Sequence, residues 1–395
     1  MGRTVAVVGG GYGGAAVAKA LDADADAGIE VVLVEPKDAF VHAAGSLRAL
    51  VQPEWAENIF FPYDRLLARG RVVRGRAAGV DAGGVTLADG RRVEADYVVL
   101  ATGSDYPFPA KADTDDAADA LDQLRAAHKE LSGAARVLIT GAGPVGLELA
   151  GEIAAVWPGK RITVVDPAEE IMPSFTPELR AELHRQLDGL GVELRLGTAL
   201  ADPPPVPAGR ADAFTVATTG GGEIGADIWF RCHGVRVNGG FLAGSLTPDA
   251  MTRQGQVRVT GTLQVRGYDN LYALGDLTDL AEAKMAGYAM KHAAVVAENV
   301  LAQVRGDRPG AVYRPSPVPS ILLPLGPGGG VGQFPPESPG AAPALLPAST
   351  VAAYKGADLF VGRFAELFGT GTATATATEA GAATEAGTET EAGTA

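Results

Sequence analysis

The sequence predicts an α/β chain built on two doubly wound, Rossmann-like parallel sheets, and three observations predict it. Two glycine-rich turns, Gly9-Gly10-Gly11-Tyr12-Gly13-Gly14 and Gly141-Ala142-Gly143-Pro144-Val145-Gly146, lie about 130 residues apart. Each is entered from a short apolar run, Thr4-Val5-Ala6-Val7-Val8 and Arg136-Val137-Leu138-Ile139-Thr140, and each opens a helix-type run. Each is followed by a second strand-type run that ends in an acid, Val31-Val32-Leu33-Val34-Glu35 and Arg161-Ile162-Thr163-Val164-Val165-Asp166. Strand, glycine turn, helix, strand and acid is the order of a βαβ unit that holds a dinucleotide.

In each turn the first glycine (Gly9, Gly141) makes the bend and the second (Gly11, Gly143) leaves room for a pyrophosphate. The last (Gly14, Gly146) lets helix pack on strand, and Gly13 adds a further small residue at the first site. Helix N-terminal amides then face the anion. Glu35 and Asp166 stand where a carboxylate accepts from a ribose 2′-OH. At the second site Asp166 would repel a 2′-phosphate, which favours NADH over NADPH, although Lys160 and Arg161 close by would soften that repulsion. Two more strings assign the sites. Tyr97-Val98-Val99-Leu100-Ala101-Thr102-Gly103 reads as a strand entering a small-residue turn. Leu271-Tyr272-Ala273-Leu274-Gly275-Asp276 reads as a strand ending in Gly-Asp, before a helix from about Lys284 to Val304.

With these strings the chain resembles the flavoproteins that carry two dinucleotide-binding domains. The resemblance implies that FAD, held non-covalently, lies along the first fingerprint with Glu35, Lys37, Ala101, Thr102, Gly103, Gly275 and Asp276. The inserted second fingerprint, closed by Gly234, holds NAD(P)H. A closer resemblance, to the apoptosis-inducing-factor-like, ferroptosis suppressor and type II NADH dehydrogenase group, rests on strings in one order along the chain. They are Lys37-Asp38-Ala39-Phe40 with His42 and Leu47-Arg48, Pro107-Phe108-Pro109, Gly146-Leu147-Glu148-Leu149-Ala150, Ala283-Lys284-Met285-Ala286, Gly330-Val331-Gly332-Gln333, and Lys355 followed by Asp358-Leu359-Phe360-Val361. The resemblance implies an FAD-dependent NAD(P)H:quinone oxidoreductase. Three departures stand against it. Cys232-His233-Gly234 replaces the usual Cys-Thr-Gly, the stretch 334–347 is proline-rich, and position 6 lacks the Ser or Thr of an N-terminal lipidation signal.

The same resemblance assigns roles near the flavin. Glu148 meets the nicotinamide ribose and carboxamide; the plain alternative is an acid complementing the helix dipole. Arg48 pairs with a phosphate or packs over the cofactor, or is a solvated arginine. His42 lies by the flavin, or is an ordinary loop histidine. Met285 approaches the isoalloxazine ring. Lys284 steadies the reduced flavin, or is a surface lysine. Lys355 and Phe360 line the acceptor pocket, and the alternative for Phe360 is packing of a short helix over about 356–368. No metal is called for. The single cysteine, Cys232, ends an apolar run and reads as a buried structural thiol. One thiol cannot form a redox pair, so electrons must pass from flavin directly to an outside acceptor.

The expected organisation is an FAD domain split into 1–108 and 245–305 around an NAD(P)H domain at 109–244. A small C-terminal acceptor domain follows at 306–368, loosely built because of its prolines. A Thr-Ala-Glu-Gly tail at 369–395 carries nothing to bury. Formal charge of −14 argues against nucleic acid. The apolar runs are too short to span a bilayer, leaving at most peripheral membrane contact, and a lone thiol without an export signal suits the cytoplasm. A homodimer is compatible with the sequence. Two other functions remain open at this point: a redox-gated NADH-binding flavoprotein with a binding or signalling role, and a reductase for a ferredoxin-type protein, which the net charge disfavours.

Overall fold

The computed structural model describes residues 2–336, 338 and 340–371, so the tail from 372 onward lies outside the described residues. The first sheet runs Leu271–Ala273, Tyr97–Leu100, Arg3–Val8, Ile29–Glu35, Arg71–Arg74, with every neighbouring pair parallel. Val5, Ala6 and Val7 at its centre are fully buried on both faces, as the unbroken apolar run requires. Helix α1 (Tyr12–Ala23) leaves the first glycine turn and buries Val17 and Leu21. The short helix α2 (Ser46–Val51) follows the second strand.

The chain then leaves the sheet along Ser104–Asp105 and returns along Arg236–Val237; the two segments pair antiparallel, Ser104 opposite Val237. Between them α3 (Ala117–Gly133) starts at Asp116, whose carboxylate accepts from the amides of Ala118 and Asp119. A second parallel sheet follows, in the order Val192–Arg195, Arg161–Val165, Arg136–Thr140, Ile228–Arg231. Helix α4 (Pro144–Val156) rises from the second glycine turn, and α5 (Pro177–Gly189) is capped by Thr176 through the Leu179 amide.

The strand Leu271–Ala273 comes about 170 residues after its neighbour Tyr97–Leu100, and α6 (Ala286–Val304) packs against α1. The glycine at position 13 permits that approach: a Cβ there would stand 2.4 Å from Leu274 Cδ1 and 3.0 Å from the Ala289 carbonyl oxygen. Expected to start near Lys284, α6 starts at Ala286, with Met285 extended as its N-cap.

The C-terminal segment after 306 is not loosely built where it is described. Ile321–Leu325, Gly329–Phe334 and Ala344–Leu346 form an antiparallel sheet, with Pro324 on an outer strand where a missing amide costs no ladder bond. Leu323, Leu325 and Val331 are buried in the core that surrounds α4. Gly151 of α4 takes Leu325 so closely that a Cβ would lie 2.6 Å from its Cα. Helix α7 (Ala348–Val351) continues into a π-helical turn at Ala352–Gly356, and α8 (Val361–Leu367) ends the described chain. The helix expected over 356–368 is therefore seven residues long. It starts late because Leu359 and Phe360 both take positive φ, +52° and +64°, which a right-handed helix cannot include.

The buried carboxylate of Asp22, at the end of α1, collects the amides of Ala68, Arg69 and Gly70 and so fixes the loop that feeds the outer strand Arg71–Arg74. Asp22→Ala is expected to lower unfolding free energy by about 2 kcal/mol, since bonds to a charged acceptor are each among the stronger kind. A urea midpoint unchanged from wild type would show that the loop finds other partners.

Candidate functional site

The two glycine turns are built alike, atom by atom. Gly9 and Gly141 have φ near +100° (100° and 105°), and a Cβ on either would lie 2.6 Å from a carbonyl oxygen, that of Ala101 or of Cys232. At Gly14 and Gly146 it would lie 1.8 and 1.9 Å from the carbonyl oxygens of Gly9 and Gly141, so helix and strand touch backbone to backbone. Gly11 and Gly143 differ from these: nothing lies within 4 Å of a Cβ there, and each is the uncapped N-cap of its helix. Free amides at an open helix start are the donor set a pyrophosphate needs, and these residues fit dinucleotides at both places.

The acids brace the same turns. Glu35 accepts from the Gly10 amide at 2.5 Å and the Lys37 amide at 3.0 Å; Asp166 accepts from Ala142 at 2.7 Å and Ala168 at 2.8 Å. Burial pushes the Glu35 carboxyl up, while Asp166 is half-exposed. Ala101-Thr102-Gly103 and Cys232-His233-Gly234 are equivalent too, each crossing its glycine turn and ending on a positive-φ glycine. Thr102 Oγ1 donates to the Asn238 carbonyl, and Asn238 donates back to the Thr102 carbonyl. Lys37 reaches the Thr114 carbonyl at 3.0 Å. Asp276 accepts from Ser104 Oγ at 2.6 Å, and Lys284 donates to the Thr278 carbonyl at 2.8 Å. Gly275, Asp276, Lys284 and Met285 share one small cleft at the start of α6.

The remaining candidates meet at one segment. Residues 355–359 form a strap held by four polar contacts at three alternate positions. Lys355 Nζ lies 2.8 Å from Glu148 Oε1 and 3.0 Å from the Leu322 carbonyl. Arg48 donates to the Ala357 carbonyl at 3.1 Å, and the Leu359 carbonyl accepts from His42 Nε2 at 2.5 Å. Glu148 lies beyond the first turn of α4, so the helix-dipole alternative falls; it is enclosed, and burial pushes its carboxyl up. Arg48 is neither solvated nor free for a phosphate. Its guanidinium grips Glu152 of α4 with Nε and Nη2, at 3.1 and 2.7 Å, and both residues are 2% exposed. Phe360 stands apart from this set. It is half-buried and packs on the first core together with Phe364 and Phe368.

Three partners escaped the sequence reading. Glu152, one turn after Glu148, is the mate of Arg48. Tyr12, inside the first fingerprint, donates its hydroxyl to His42 Nδ1 at 3.0 Å and accepts from the Ala44 amide. The Glu282–His292 pair lies behind Gly275. The four-residue spacing of Glu148 and Glu152 was a usable signal for one shared helix face; nothing in the sequence marked the other two.

His42 has one bond at each ring nitrogen, and burial pushes its imidazole down to about 4. Its contribution to stability is therefore present above the unfolded value, near ~6.5, and lost as pH falls toward 4. Wild type should lose up to about 3 kcal/mol more than His42→Gln between pH 7 and pH 4. Parallel urea midpoints for the two proteins across that range would refute it.

Residues 3–297 match the pyridine nucleotide-disulphide oxidoreductase family. The chain is 34% identical to ferroptosis suppressor protein 1 of Taeniopygia guttata over 342 residues, covering 83% of this chain and 88% of the relative. It is 30% identical to apoptosis-inducing factor homolog B of Dictyostelium discoideum, over 85% and 90%. Among solved structures, the sulfide:quinone oxidoreductase of Aquifex aeolicus matches with TM-score 0.74 at 17% identity, over 93% of this chain and 92% of that one. A NAD-dependent persulfide reductase of A. fulgidus matches with TM-score 0.66 at 18% identity, over 84% of this chain and 63% of that longer one. These structural likenesses speak to the fold. With two dinucleotide cradles of matching build and a lone cysteine, the chain belongs to the pyridine nucleotide-disulphide oxidoreductase family, as an FAD-dependent NAD(P)H oxidoreductase.

Proposed function

We propose that this protein oxidises NADH and passes the electrons to a quinone-like small molecule, working in the cytoplasm with at most peripheral membrane contact. The observation that carries the reading is the Lys355–Glu148 ion pair, where the nucleotide helix α4 meets the C-terminal strap. FAD along the first cradle supplies the carrier that takes a hydride from one substrate and reduces the next. Glu148 orients the nicotinamide end of NADH, Lys355 holds Glu148 ionised, and the strap keeps water from the space between. The same ammonium steadies negative charge arriving on the acceptor. Cys232 takes no part: it is buried, with its thiol pushed up to about 12, so no thiol stands between flavin and acceptor. Among the described residues no helix is long and apolar enough to cross a membrane.

Purified protein given NADH with a panel of quinones and of ferredoxins tests this directly. Quinone-dependent turnover of about 1 s⁻¹ or more supports the proposal. A persistent charge-transfer band with negligible turnover would mean a redox-gated binding protein, and turnover with ferredoxin alone would mean a different acceptor.

The ion pair couples the two half-reactions. Lys355→Ala removes the charge that holds the enclosed Glu148 ionised beside the nicotinamide, so flavin reduction by NADH in single turnover should slow about tenfold or more, along with quinone turnover. Phe360→Ala, which leaves the pair intact, should lower quinone turnover alone. Equal losses in both half-reactions for Phe360→Ala would put the acceptor elsewhere.

Asp166 supports a preference for NADH. The nearby Lys160 is turned away onto the Ser132 and Ala134 carbonyls and does not neutralise it. Asp166→Ser should narrow the NADH over NADPH ratio of kcat/KM by about tenfold. An unchanged ratio would show that Asp166 does not face the ribose.

A further inference from the structure

A buried polar chain lies behind the Gly275–Asp276 turn. The Gly275 amide donates to His292 Nδ1 at 3.0 Å. Because Nδ1 accepts there, the ring proton sits on Nε2, which faces Glu282 Oε1 at 2.7 Å. The other oxygen of Glu282 accepts from the Tyr313 hydroxyl at 2.7 Å, and the Tyr313 ring stands edge-on to the imidazole at 4.2 Å. His292 is 1% exposed and the Glu282 side chain 7%. The facing atoms, Nε2 and Oε1, make no aligned hydrogen bond with each other or with any other described residue, so charge and proximity alone couple them, and both residues line the cleft with Asp276, Lys284 and Met285.

Burying a carboxylate and an imidazole together is costly unless the pair fixes something. What it fixes is a tautomer. With Glu282 opposite, the proton stays on Nε2 and Nδ1 remains an acceptor. Without it, a proton on Nδ1 would face the Gly275 N–H, donor against donor, and turn that peptide away. Gly275 holds φ +67° and is followed at once by Asp276, so turning the Leu274–Gly275 peptide would shift the backbone that carries the Asp276 carboxylate.

We infer that Glu282 and His292, backed by Tyr313, are positioning residues for flavin binding that act through the Gly275 peptide on Asp276. The inference rests on FAD lying across Gly275–Asp276. The chain thus carries a tautomer lock behind the Gly275–Asp276 turn, in which residues that act through that turn set how long the flavin stays.

The test is the rate of FAD release from the purified holoprotein, followed as recovered flavin fluorescence on dilution. Asparagine at 292 puts an oxygen in place of Nδ1, and glutamine at 282 still offers an oxygen to Nε2–H. His292→Asn and Glu282→Gln should stay within about threefold of wild type, whereas His292→Gln and Glu282→Met should release FAD about tenfold faster, the scale of one lost buried hydrogen bond. A merely structural role would not sort the variants this way, since each pair perturbs the same site. Equal rates within both pairs would overturn the inference; if the position 292 variants do not fold, the two at 282 decide alone. Asp276→Ala separates the premise. If it leaves release unchanged, FAD does not lie across this turn and the inference falls with its premise. If it accelerates release while His292→Gln and Glu282→Met do not, the lock alone is wrong.

Discussion

The arrangement depends on one buried ion pair. Arg48, on a short helix of the first nucleotide-binding half, holds both oxygens of Glu152 on the helix that leaves the second glycine turn, and its remaining arm holds the carbonyl of Ala357. Three stretches of sequence, some 100 and 200 residues apart, are tied at one guanidinium. A pair this deep contributes little by being present, because desolvation offsets most of the attraction. Its weight lies in the cost of losing either partner: the other is left charged in a site with no water to receive it. The two cradles and the strap are therefore bound to one relative placement, which transfer between two bound dinucleotides requires.

The strap extends that constraint to the C-terminus. Lys355, Ala357 and Leu359 each hold a residue that belongs to one of the cradles, and the backbone enters the left-handed region twice in succession where the strap ends, at Leu359 and Phe360. Such residues cost about 1–2 kcal/mol each and persist where surrounding contacts over-determine them. Here Tyr12 and His42 do so, with the Phe364 ring tilted against the imidazole at 4.6 Å.

The parts of the molecule that follow from local chemistry were readable from residues alone. Gly9, Gly11 and Gly14, and their counterparts in the second turn, state their own backbone requirements, and the acids Glu35 and Asp166 fall where strand length puts them. The partnerships were not readable. Arg48 looked available for a phosphate because no local feature points from residue 48 to residue 152. Lys355 and Glu148 belong in the sequence to opposite ends of the reaction, and only the folded chain makes them one ion pair. The proline-rich segment misled for a related reason. Prolines forbid helix, but they do not forbid an edge strand, and the burial of Leu323 and Val331 against α4 is a tertiary gain without local signature.

The paired crossings Ser104–Asp105 and Arg236–Val237 carry a consequence for the order of assembly. They bring the two ends of the intervening segment side by side, and every strand of its four-stranded sheet has been made by residue 237. The first sheet still lacks an outer strand at that moment, because Leu271–Ala273 has yet to be synthesised. On a ribosome the later-encoded parallel sheet is thus complete before the earlier one, and the edge of Tyr97–Leu100 stays bare while it waits, a template for mispairing. The insertion leaves the amino-terminal half of this chain exposed to aggregation for as long as the ribosome takes to cross the middle.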